Sequence, residues 1–97
     1  MRFGSVKKEK PVENHSNPEL FAKLRELRKK LASSLGVPPY VVFSDISLWS
    51  MCTLLPRNME EFMNVSGVGT VKAERYGRKF LAVINEYVTD YVNVRAK

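Results

Sequence analysis

A chain of 97 residues, 44% of them apolar, suffices for one domain with a modest core and is too apolar to be wholly disordered. No apolar run approaches the ~20 residues of a membrane helix, and residues 1–17 lack the apolar stretch of a signal peptide. The sole cysteine, Cys52, and sole histidine, His15, exclude an internal disulfide and a Cys/His zinc site, so no metal or other cofactor is expected.

Net charge is +6, carried unevenly: +2 over residues 1–17, +3 over 18–35, −2 over 36–65 and +3 over 66–97. A basic domain favours polyanions, either nucleic acid or an acidic membrane surface. Residues 1–17, charged and aperiodic, read as a linker or disordered tail in which His15 has no role. The folded domain is expected over 18–92, with a short tail over 93–97.

The first helix opens with Asn17 as N-cap, Pro18 at the first position and Glu19 against the dipole. Leu20, Leu24, Leu27, Leu31 and Leu35 recur at helical spacing, widened by Phe21, and Gly36 stops the helix ahead of Pro38 and Pro39. Within Val37 to Phe43, Val41 to Phe43 looks strand-like, but no second strand is available to pair with it, so the segment reads as an extended connection. Ser44 or Asp45 caps a second helix from Ile46 to about Leu55, stopped by Pro56. Asn58 caps a short third, with Glu61 completing a capping-box-like pattern. Val65-Ser66-Gly67-Val68-Gly69 is a tight turn. Thr70 opens a fourth helix to Tyr76, Gly77 weakens it, and a fifth runs from about Arg78 to Val92. The fold class is therefore all-α: a compact five-helix bundle with a helix-hairpin-helix-like element. The first and last helices are expected to supply most of its core, with Trp49 filling much of the rest. Cys52, between apolar neighbours, reads as a buried, inert thiol.

No catalytic constellation is visible. The histidine lies in the tail, the carboxylates are scattered, and Ser66-Gly67-Val68-Gly69-Thr70 is not a P-loop. The strongest functional signal is Val65 to Lys72. Two glycines allow close backbone approach, and the helix N-terminus at Thr70 offers free N–H groups that suit a phosphate, with Lys72 adding charge. The same glycines also fit a turn of purely steric purpose. Lys72, Arg75 and Lys79 share one face if the helix continues through Gly77, and could follow a phosphate backbone or simply be solvated. For Arg25, Arg28, Lys29 and Lys30 a solvated face is the stronger reading. Tyr40, behind two prolines, is either a ring that stacks on an unpaired base or a core residue.

Four segments together carry a family resemblance: Leu20-Phe21-Ala22-Lys23-Leu24-Arg25-Glu26-Leu27-Arg28, Val37-Pro38-Pro39-Tyr40-Val41-Val42-Phe43-Ser44-Asp45, Val65-Ser66-Gly67-Val68-Gly69, and Tyr76-Gly77 with Phe80. In order and spacing they resemble the HRDC domain (helicase and RNase D C-terminal), and the Pro-Pro-Tyr segment is most similar to that of bacterial RecQ-type helicases. The resemblance covers about Pro18 to Val88. It implies a non-catalytic accessory domain that binds single-stranded or partly duplex DNA beside an ATP-dependent helicase core in the same parent chain, with roles in DNA repair and recombination. It implies DNA contact at Tyr40 and, more loosely, at basic residues of the first helix (here Lys23 and Arg28) and around the hairpin: Gly67, Gly69, Thr70, Lys72, Arg75 and Lys79.

The isolated domain is expected to be monomeric, off the membrane, and in the bacterial cytoplasm near the nucleoid. Two other functions fit the same residues. One is a protein-interaction or intramolecular docking module using Val41, Phe43 or the segment from Tyr91 to Val94. The other is an RNA-binding domain, as in RNase D.

Overall fold

A computed structural model describes residues 16–96, with side chains to Val92. The linker expected over 1–17, His15 included, lies outside the described residues up to position 15. Five helices follow in order: α1 (Pro18–Leu35), α2 (Pro39–Val42), α3 (Asp45–Leu54), α4 (Met59–Phe62) and α5 (Thr70–Ala96), with no strand among the described residues. The all-α class and the number of helices match the expectation, but the partition differs at two places.

The first is α2. Where the sequence suggests an extended connection, Pro39 to Val42 form one helical turn closed by the Val41 N–H on the Pro38 carbonyl at 3.0 Å. Pro38 is extended ahead of a second proline, and Pro39 has the φ that a first helical position needs. The turn sends Val42 and Phe43 into the core and leaves Tyr40 and Val41 outside.

The second is α5, which runs unbroken through Gly77 and on to Ala96, past Val92. A Cβ on Gly77 would lie 3.1 Å from Met59 Cε and 3.3 Å from Phe62 Cε2. The glycine lets α4 approach α5 closely, and this packing, not a bend, accounts for it.

The caps follow local chemistry. Gly36 is left-handed at φ 71°, its N–H on the Ser33 carbonyl and that of Val37 on Ala32, a Schellman closure of α1. The Ser47 N–H donates to Ser44 Oγ at the start of α3. The Glu61 N–H donates to Asn58 Oδ1, while the Glu61 carboxylate accepts from the Arg57 N–H, both at 2.8 Å. Asn17 departs from expectation. Its backbone is left-handed (φ 54°) and its side chain makes no cap bond. The amide instead donates to the Cys52 carbonyl at 2.8 Å and accepts from the Tyr87 hydroxyl at 3.2 Å, tying α1, α3 and α5 together.

The core is built on Phe43. Its ring meets Phe80 edge-on at 4.9 Å and Phe62 and Tyr76 at 5.9 Å each. Leu20 and Leu24 from α1, Leu48 and Met51 from α3, and Ile84 from α5 surround this group without solvent exposure. Trp49, expected to fill much of the core not supplied by the first and last helices, lies at its margin. Trp49 is half-buried and stacks on Phe21, centroids 3.8 Å apart. Cys52 is buried, and burial pushes its thiol up to about 12.

Candidate nucleic-acid interface

The row of α1 that enters the core is Leu20, Leu24, Arg28 and Ala32, four residues apart. The leucine stripe read from the sequence lies partly beside it, and Leu35 is exposed. Arg28 therefore stands in an apolar row and is only 8% exposed. A buried guanidinium needs partners. Nη1 donates to the Phe43 carbonyl at 3.0 Å and to Asp45 Oδ1 at 2.8 Å, while the buried Nε has no hydrogen-bond partner. This clamp fixes the α2–α3 connection against α1.

On that clamped connection Tyr40 is 69% exposed and Ile46 is 54% exposed. With Arg28, Pro39, Ser44 and Asp45 they line a shallow hollow of about 480 Å³. On the other side of Pro39 lies a second hollow, of about 550 Å³, walled by Ala22, Arg25, Glu26, Arg28 and Lys29.

The hairpin is fastened to the same region. Ser47 Oγ donates to the Ser66 carbonyl at 2.6 Å, and the Ser66 N–H donates to Ser50 Oγ at 3.2 Å. Gly67 has φ 79°, and a Cβ there would lie 2.5 Å from Ser47 Oγ, so both conformation and space demand glycine. Gly69 differs: a Cβ would meet nothing within 4 Å, and its φ is not positive. The fold does not require glycine there. Its absence of a side chain leaves the backbone bare just ahead of α5, whose 27 residues give the N-terminus at Thr70 its full dipole and whose first turn has no acidic residue. Lys72 Nζ lies 6.0 Å from the centre of the Phe43 ring. Arg75 and Lys79 are exposed further along the continuous helix.

The hairpin is thus bonded to α3 through Ser47 and Ser50, and Lys72 of α5 approaches the ring of Phe43, three residues after Tyr40 in the chain. Two residues singled out in the sequence sit elsewhere or are committed. Arg28 is the clamp. Lys23 lies in a groove of about 330 Å³ between α1 and α5 with Glu19, Glu86, Asp90, Tyr87 and Tyr91, amid carboxylates. Burial and the Glu19 charge raise the Tyr87 hydroxyl above its ordinary value. For Arg25 and Lys29 the sequence favours a solvated face over phosphate contact, and Ile46 has no local signature of exposure. The place of Arg28 between Leu24 and Ala32 was a legible sign of its burial.

Among the described residues no group of three His, Cys, Asp or Glu side chains could hold a metal ion, and no helix is long and apolar enough to cross a membrane. The sequence model of the HRDC domain matches residues 17–84. The ATP-dependent DNA helicase RecQ of Haemophilus influenzae is 40% identical over 77 residues, 79% of this chain and 12% of that protein. RecQ of Bacillus subtilis is 48% identical over 71 residues, 73% of this chain and again 12% of the relative. The solved third HRDC domain of D. radiodurans RecQ superposes with a TM-score of 0.71 at 35% identity, over 74% of this chain and 95% of that domain.

Proposed function

The chain belongs to the HRDC domain family, and from that premise we propose that it is a non-catalytic accessory domain of a RecQ-type DNA helicase that binds single-stranded or partly duplex DNA. In this reading Tyr40 stacks on an unpaired base. The Gly69–Thr70 backbone, Lys72, Arg75 and Lys79 hold phosphates. ATP hydrolysis and unwinding, with their roles in repair and recombination, belong to the rest of a parent chain in the bacterial cytoplasm.

The observation that carries the reading is the exposed Tyr40 ring, standing on a turn anchored by the buried Val42 and Phe43. An exposed aromatic on an anchored turn, in a basic domain, is what stacking of an unpaired base needs. Arg28 serves it by holding the turn, and Lys23, among carboxylates, contributes little to a phosphate path.

The test is an NMR titration with a short single-stranded oligonucleotide at several salt concentrations. Shifts centred on Tyr40, the hairpin and Lys72, with a log–log salt slope of about −2 to −3 for three or four neutralised phosphates, support the reading. Absence of shifts at high concentration overturns it. An RNA strand in the same titration separates DNA from RNA preference.

The groove of Tyr87 and Tyr91 favours a second reading, docking onto the helicase core. Of the docking residues expected from sequence, Phe43 is buried and unavailable, whereas Val41 and Tyr91 are exposed.

A further inference from the structure

We propose that the two hollows flanking Pro39 are the phosphate and base halves of one nucleotide-wide site, in which Asp45 reads the base edge and favours guanine over thymine. The inference rests on the single-strand reading above and adds to it a register and a base preference.

The two hollows share Pro39 and Arg28 and nothing else. Their chemistry is opposite. The α1 side presents the exposed cations Arg25 and Lys29 against the single carboxylate Glu26, and Ala22 leaves room between them. The α3 side presents the exposed apolar surfaces of Tyr40 and Ile46 and the carboxylate of Asp45, whose side chain is 67% exposed. A phosphate is repelled by Asp45 and attracted by Arg25 and Lys29, whereas a base gains by stacking on Tyr40 and Ile46. Charge alone therefore orients a nucleotide across Pro39.

Arg28 lines both hollows and is more than nine-tenths buried. The same guanidinium holds Asp45 Oδ1 at 2.8 Å, which fixes the carboxylate at the edge of the base hollow.

An ionised carboxylate only accepts hydrogen bonds. Among the Watson–Crick edges, guanine alone offers two adjacent donors, N1–H and N2–H. Cytosine and adenine each offer one amino group beside an acceptor nitrogen. Thymine offers one N–H between two carbonyl oxygens that the carboxylate repels. The order of preference is therefore guanine first and thymine last.

Fluorescence anisotropy at low salt with two labelled 12-mers, one all thymine and one alternating thymine and guanine, tests the proposal. The wild-type domain is expected to bind the guanine-bearing strand roughly five- to tenfold more tightly, the lower end of the scale of one good bidentate base-edge contact. Asp45→Asn keeps an oxygen for Arg28 but adds an amide donor, and should bring the ratio close to one. Arg25→Ala/Lys29→Ala should weaken both strands alike and lower the salt slope by about one unit. A wild-type ratio near one, a ratio unchanged in Asp45→Asn, or an unchanged salt slope in the double variant overturns the proposal. Should Asp45→Asn fail to fold, the Asp45 carboxyl carbon resonance of the wild type decides: it moves with the guanine-bearing strand and not with thymine, or the proposal is wrong. Failure of both strands to bind is a separate outcome, and overturns the single-strand reading itself.

Discussion

Arg28 on α1 and Asp45 at the start of α3 form an ion pair at 2.8 Å whose two ends are in different environments, the guanidinium buried and the carboxylate largely in water. The same Nη1 also donates to the Phe43 carbonyl. The solvated carboxylate limits what the pair itself contributes. The greater cost of Arg28→Ala is the loss of packing and the unpaired Phe43 carbonyl, together about 2–4 kcal/mol. Asp45→Asn, which retains an acceptor, is expected to cost under about 1.5 kcal/mol. Urea unfolding midpoints of the two variants check this ordering, and equal losses would mean that the ion pair dominates.

The two hairpin glycines separate folding from binding. Gly67→Ala meets Ser47 Oγ and an unfavourable positive φ, and is expected to destabilise by about 2–4 kcal/mol. In a Ser47→Ala background the φ penalty remains but the collision is gone, so the same change should cost about 1–2 kcal/mol, a coupling that a double-mutant cycle reads directly. Gly69→Ala has open space around it and should leave the melting temperature within about 2 °C. If the bare backbone ahead of α5 takes a phosphate, Gly69→Ala weakens oligonucleotide binding despite the intact fold.

What was legible in the sequence was what is local. The α1 span, its Gly36 stop and the Asn58 cap each depend on residues within about four positions and are found as read, and of the two caps left open at the start of α3, Ser44 is the one used. What was not legible depends on distant partners. The Asn17 side chain answers to Cys52 and Tyr87, 35 and 70 residues away, and so escapes its expected cap. Gly77 costs a helix about 1 kcal/mol, yet α5 continues because α4 packs onto the space it leaves. Val41-Val42-Phe43 has strand composition, but four residues are too few to show a helical period, and core packing of Val42 and Phe43 outweighs β-propensity. Of the candidate site, the types of residue were legible, whereas the burial of Arg28 and the exposure of Tyr40 depend on packing between distant segments.

Cys52 gives the domain an alkaline limit. Burial raises its thiol from an ordinary 9 to about 12, so the folded state holds the proton that the unfolded chain releases. Its contribution is complete below pH 9 and is lost as pH rises from there toward 12, at up to about 1.4 kcal/mol per pH unit. Tyr87, also raised by burial, adds in the same direction above its ordinary 10. Urea midpoints measured from pH 8 to 11.5 should fall for the wild type and fall less steeply for Cys52→Ala. A thiol reagent at pH 8 should label Cys52 only when denaturant is present.

Tyr40→Ala offers the sharpest separation of surface from core. The ring is mostly in solvent and belongs to none of the aromatic contacts around Phe43, so its removal should change stability by less than about 0.5 kcal/mol. One stacked base is worth about 1–3 kcal/mol, so affinity for a single strand should fall by roughly 5- to 100-fold. Tyr40→Phe keeps the ring and should retain most of that affinity, and Tyr40→Leu, apolar but not aromatic, should not. The salt slope should remain at the wild-type value in all three variants, because none alters a cation. Anisotropy titrations at two salt concentrations, read beside thermal melts, check every part. Wild-type affinity in Tyr40→Ala would remove the aromatic platform from the mechanism and leave the cations of α1 and α5 to account for binding.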